Sequence, residues 1–179
     1  MKHTRYFILL ILSLCILSSC AKGESTLKKK VCMPDKNIIE LVSKKYSDSE
    51  LTTIAQLEVT AHELDKQYPI ECVREIGNSY RVSYLGNKSV AIVSFDDNEN
   101  KIIGKVYTLN LTKEDFNELV TGQSLESVQT LDPKGEYLFM YTGSNNAPKI
   151  STHCTIDGYL IIVEYDEKNN VLNVRKSLI

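Results

Sequence analysis

The chain has 179 residues, 42% hydrophobic and 25% charged, with 21 Lys+Arg against 23 Asp+Glu and a formal net charge of −2. That balance fits a folded domain and excludes a disordered chain, which is poorer in apolar residues. It also argues against a nucleic-acid partner, because the charge is slightly acidic and no basic stripe stands out.

Lys2, His3 and Arg5 precede an apolar run over 6–17. As a helix, that run would cover only ~18 Å of a ~30 Å hydrocarbon core. A positive start followed by a short apolar run is the pattern of a secretory signal. Leu17-Ser18-Ser19-Cys20 follows and resembles a bacterial lipobox. The resemblance implies cleavage before Cys20 and lipid attachment to Cys20, with enough acyl chain for stable anchoring. The expected location is the bacterial cell envelope, outside the cytoplasm and anchored to a membrane. The mature chain then carries 19 basic and 23 acidic residues, about −4. The expected organisation is a signal peptide over 1–19, a lipidated polar tether over 20–35, a first unit over 36–110 and a second over 111–179. Lys28, Lys29 and Lys30 in the tether suit either anionic headgroups or water.

Cys32, Cys72 and Cys154 remain after processing. They permit at most one disulfide and leave one thiol over, and the spacing does not select the pair. They form no zinc-type pattern, so no metal and no cofactor is expected.

In the body, apolar spacing predicts a helix over 35–46. Ser47-Asp48-Ser49-Glu50 resembles a capping box, and a helical stripe continues behind it to about Lys66. Strands are predicted over 70–76, 79–85, 89–95 and 102–109, separated by Gly- and Asn-rich turns. A short helix over 112–119 and another over 125–131, capped by Ser124, precede a second strand set over 136–142, 150–156, 159–165 and 171–176. Asp157-Gly158 reads as a two-residue hairpin turn.

Element order repeats, which prompts a search for duplication. An offset of 70 aligns 90–97 with 160–167 and Asn100 with Asn170. Carried through the strand set, it puts Tyr80, Val82, Tyr84, Ala91, Val93 and Phe95 on one face, with Ile150, Thr152, Cys154, Ile161, Val163 and Tyr165 as their counterparts. That face is expected to pack on the helices. The opposite face, carrying Arg81, Ser83, Ser151, His153 and Thr155 among Leu85, Val90, Ile92, Leu160 and Ile162, is expected to stay open as a docking surface.

The stretch from Phe116 to Val128, helix-Gly-Ser-helix, resembles the opening of BamE-like (SmpA/OmlA) lipoprotein domains. The resemblance implies an α+β fold of two helix-helix-antiparallel-strand units in tandem, forming a sheet covered by helices on one face, as in β-lactamase inhibitory proteins. Asp132-Pro133 stands where that family usually has Gly-Pro.

No GxSxG elbow, Walker loop, HExxH or EF-hand loop occurs. Ser151-Thr152-His153-Cys154 is the most suggestive cluster, but strand alternation turns Cys154 away from His153. His62 is expected on a helix surface. The reading is therefore a non-enzymatic protein-binding or scaffold lipoprotein whose partner surface is Arg81, Ser83, Ser151, His153 and Thr155. The alternatives are an inhibitor or immunity protein for a secreted enzyme or toxin, a PepSY-like module and a small envelope enzyme.

Overall fold

A computed structural model describes residues 25–138 and 149–179. The signal segment, Cys20, and 139–142 of the strand predicted over 136–142 lie outside the described residues. The alternating segments form two antiparallel four-stranded sheets. The first holds β1 (Val73–Ile76), β2 (Ser79–Leu85), β3 (Ser89–Asp96) and β4 (Lys101–Thr108), in that order. The second holds β5 (Glu136–Leu138), β6 (Lys149–Cys154), β7 (Tyr159–Tyr165) and β8 (Val171–Leu178). With α1 (Ile38–Leu41), α2 (Asp48–Gln56), α3 (Ala61–Gln67) and α4 (Leu125–Leu131), the fold is α+β. The strands form two sheets where one combined sheet was expected.

The helices are shorter than their apolar stripes suggest, because backbone groups find partners elsewhere. α1 is a single turn, since the Ser43 and Lys44 amides donate to the Glu71 carboxylate and the Tyr46 amide donates to the Leu85 carbonyl. The stripe over 51–66 breaks after Gln56. The Lys101 ammonium donates to the Ala55 and Leu57 carbonyls at 2.7 and 2.6 Å, taking over the free end of α2. A capping box of Thr60 with Glu63 then starts α3. The capping box of Ser47 with Glu50 opens α2 as read from the sequence. Over 112–119 only a 3₁₀ turn forms, Glu114–Phe116.

α2 and α3 cover one face of the first sheet. Leu51, Ile54, Ala55 and Leu64 meet Tyr80, Val82, Tyr84, Ala91, Val93 and Phe95 there, as the alternation predicts. Gly104 lets α2 approach this closely, because a Cβ at that position would overlap the Ala55 carbonyl oxygen. Gly104→Ala is therefore expected to destabilise the fold by about 1–3 kcal/mol, as overpacking does. Chemical denaturation measures it, and an unchanged midpoint would mean α2 shifts freely.

The last hairpin of each sheet, β3–β4 and β7–β8, repeats the other in detail. Asp96 Oδ1 accepts from the amides of Asn98 and Asn100, and Asp166 Oδ1 accepts from those of Lys168 and Asn170. Glu99 and Asn169 both adopt positive φ, 65° and 64°. A register irregularity falls at Ser94/Phe95 and again at Glu164/Tyr165. All these features stand 70 residues apart.

One strand breaks the offset. The Gly86 amide bonds the Ser89 carbonyl around a two-residue turn, whereas the Thr155 amide bonds the Tyr159 carbonyl around three residues, Ile156 to Gly158. The Asp157-Gly158 turn is thus one residue longer than expected. A one-residue slip turns every side chain of a strand to the other face. So Ser151 pairs with Val163 and His153 with Ile161, on the helix-covered side.

The faces expected to stay open are joined instead. Leu85, Val90 and Ile92 of the first sheet pack with Cys154 and Leu160 of the second, together with Ile38 and Ile179. The layers run helix, sheet, sheet, helix, with Phe116 and Val128 covering the far side of the second sheet.

The segment over 25–32, expected as part of a solvated tether, packs on the first unit. Leu27 is fully buried in its core. Lys30 pairs with Asp65 at 2.7 Å, and the Cys32 amide bonds the Val73 carbonyl beside β1. Cys32 is disulfide-bonded to Cys72, and Cys154 is free and buried.

Candidate binding cleft between the sheets

The five residues expected to share one open surface are divided among three environments. Ser151 and His153 lie under the helix layer, 0% and 1% exposed. Thr155 is buried in the β6–β7 turn, where its hydroxyl accepts from the Tyr159 amide. Arg81 and Ser83 lie on the inter-sheet face, with Ser83 buried. The docking surface proposed from the sequence therefore does not exist as a surface. The extra turn residue removes one half of it, and sheet-on-sheet packing closes much of the other.

Under the helix layer the fold assembles a Ser–His–Asp chain. His153 Nδ1 lies 2.8 Å from Asp132 Oδ2, and His153 Nε2 lies 2.8 Å from Ser151 Oγ. Ser151 Oγ is in turn 2.7 Å from the Tyr165 hydroxyl. An ionised carboxylate only accepts, so Nδ1 carries a proton. In the neutral ring, Nε2 then accepts from Ser151, and Ser151 accepts from Tyr165. This is the donor order of an acyl-transfer triad. Its setting is that of a core network: Phe116 and Tyr137 pack on the imidazole at 5.1 and 5.6 Å between ring centroids. Gly135 borders it so closely that a Cβ would collide with the ring. Ser151 and His153 are both buried, so the hydroxyl is closed to a substrate carbonyl. Asp132, noted in the sequence only as part of Asp132-Pro133, is the partner that sequence reasoning missed. Cys154 lies on the opposite face from His153, which rules out their convergence as a nucleophile–base pair.

An open concavity lies elsewhere. A cleft of about 800 Å³ lies between the sheets, lined by Val31, Pro34, Ile76, Ile162 and Leu178 and by three arginines, Arg74, Arg81 and Arg175. The strand pairing brings two of them together: Arg74 is the direct cross-strand partner of Arg81. Like charges placed opposite each other destabilise a sheet. Arg74 is held by carbonyls, with Nε donating to Ile179 O at 2.6 Å and Nη1 to Pro34 O at 3.2 Å, and Nη2 donating to Lys36 O. Arg175 pairs with Glu164 at 2.5 Å near the surface. Arg81 forms no ion pair among the described residues, and its Nη1 is buried without a hydrogen-bond partner. Burial pulls its pKa below the ordinary guanidinium value, and the neighbouring Arg74 charge pulls the same way. Glu75, exposed, is the carboxylate at the rim.

No protein-family model matches the chain. No curated protein matches it at a significant level. Among solved structures, it is similar to a cysteine-rich secretory protein from Staphylococcus aureus subsp. aureus Mu50, at 13% identity and a TM-score of 0.23. The similarity covers 85% of this chain and 48% of that one, so the chain spans about half the length of that structure.

Proposed function

We propose that this chain is an exported, lipid-anchored envelope protein that binds rather than catalyses, and that its binding element is the cleft between the two sheets. The observation that carries the binding reading is the contrast between two polar clusters. The Ser–His–Asp chain is sealed in the core, whereas the arginine cluster opens to solvent with a buried donor unpaired. Arg81 is thus the member of the expected partner surface that this reading keeps.

Export is supported by the sequence before Cys20 and by the Cys32–Cys72 disulfide, a bond that persists in oxidising compartments. Ser25 donates to Glu99 and Leu27 is buried in the core, so 21–24 are what separates Cys20 from the packed domain. An extended chain spans at most ~3.6 Å per residue, so Ser25 lies within about 18 Å of the lipidated residue. The domain would then sit close to the membrane surface.

We also read the two halves as copies of one BamE-like unit. The support is the shared offset of 70 in the Asp-centred turns, the positive-φ residues and the register irregularities. Three helices, the single turn α1 and then α2 and α3, precede the first strand set, and a 3₁₀ turn and α4 precede the second. A PepSY-like unit would have one helix before each set.

Metabolic labelling with an alkyne palmitate tests the anchor. Wild type is expected to take up label and sediment with membranes, and Cys20→Ala to lose the label. Labelling that survives in Cys20→Ala would refute lipid attachment at Cys20.

A further inference from the structure

We propose that the inter-sheet cleft binds an oxyanion head group, carboxylate or phosphate, carried on an apolar body, with Arg81 as its deep anchor and Arg175 at its mouth. The proposal rests on the binding-protein reading and names the class of ligand.

Three features of the site converge on this chemistry. The first is a cost that the fold alone leaves unrepaid. A guanidinium nitrogen buried without a partner is destabilising, and a second arginine directly opposite adds repulsion. Proteins that break such rules commonly do so at functional sites. The second is geometric. Arg74 is fixed by three main-chain oxygens, so its charge is held against the cleft wall. Arg81 has donors to spare, and a guanidinium presents them as a planar fork that fits carboxylate and phosphate oxygens in pairs. The third is the wall. Val31, Ile76, Ile162 and Leu178 offer apolar surface beside the charge, so the ligand is amphipathic rather than a bare inorganic ion. The same head groups occur on soluble metabolites and on anionic lipids.

The test uses the full chain in phosphatidylcholine nanodiscs, titrated calorimetrically with hexanoate, hexyl phosphate and, as the uncharged probe, hexanol. Saturable binding of at least one of the two anions is expected, with hexanol at least tenfold weaker. Arg81→Gln is expected to weaken the preferred anion at least tenfold, and Arg175→Gln to weaken it less. Arg81→Lys keeps the charge but loses the fork, and is expected between wild type and Arg81→Gln. If Arg81→Gln fails to fold, Arg81→Lys and Arg175→Gln carry the comparison. Replacing phosphatidylcholine with phosphatidylglycerol identifies the source: competition with hexyl phosphate points to a bilayer head group, and unchanged binding points to a soluble ligand. Absence of anion binding at 10 mM, equal binding of hexanol, or variants indistinguishable from wild type would overturn the proposal. A lost palmitate label on its own would overturn the anchor and leave the cleft intact.

Discussion

Replacing His153 by Ala is expected to lower the unfolding free energy by about 3–5 kcal/mol, because it leaves the buried Asp132 carboxylate without its hydrogen-bonded partner. His153 and Asp132 are 1% and 3% exposed, so the carboxylate left behind would find no water to replace its partner. Its other oxygen accepts from the Lys134 amide at 3.1 Å, which cannot compensate for the lost imidazole. Ser151 and Tyr165 would retain each other, so Ser151→Ala is expected to cost less than His153→Ala. The network also gives stability a pH dependence of defined sign. Burial by itself would raise the Asp132 pKa, but the hydrogen bond and charge of His153, with the Lys134 amide, hold the carboxyl below its ordinary value. A carboxyl depressed in the folded state adds stability above its unfolded pKa of about 4, and that stability is lost as pH falls through the folded value. Urea unfolding at pH 7 and pH 3 measures this. The gap between wild type and Asp132→Asn should be wide at pH 7 and should shrink at pH 3. Asp96 and Asp166, held low by the Asn100 and Asn170 amides, act in the same direction in both variants and cancel in the comparison. A His153→Ala midpoint equal to that of wild type would show that the network contributes nothing.

The second large effect is expected from the Cys32→Ser, Cys72→Ser double variant. The bridge closes a loop of sequence separation 40, and loop-closure entropy then gives about 4 kcal/mol. The structure adds where the loss should appear first. Leu27, Lys30 and Val31 are held to the first unit next to this bond, so the segment over 25–35 should exchange its amides faster in the variant. Reducing agent should move wild type towards the variant and leave the variant unmoved. Equal denaturant midpoints for oxidised wild type and variant would count against a stabilising bridge.

Several elements were legible because the signals that specify them are local. Period-two alternation and Gly/Asn turns located the strand segments, with β5 described as far as Leu138. The Ser47–Glu50 box located the start of α2. The repeat showed at an offset of 70 because the Asp96 and Asp166 turns are made by side chains two to four residues apart. Helix lengths were less legible. Whether 43–46 or 57–60 continue as helix depends on Glu71 and Lys101, groups distant in sequence that compete for the same backbone atoms.

The sequence by itself determined the segments, their faces within the first sheet, and the pattern around Cys20 on which the anchor proposal rests. Tertiary structure decided which of those faces meet water. One additional residue in the 155–159 turn put Ser151 and His153 inside, and packing between sheets turned an expected open face into a core with a cleft at its side. Asp132 became a partner of His153, Cys32 of Cys72 and Arg74 of Arg81 through contacts between elements. The physical reason is common to all of these. Backbone preference and alternation act over a few residues, whereas burial and charge pairing depend on which elements fold against each other.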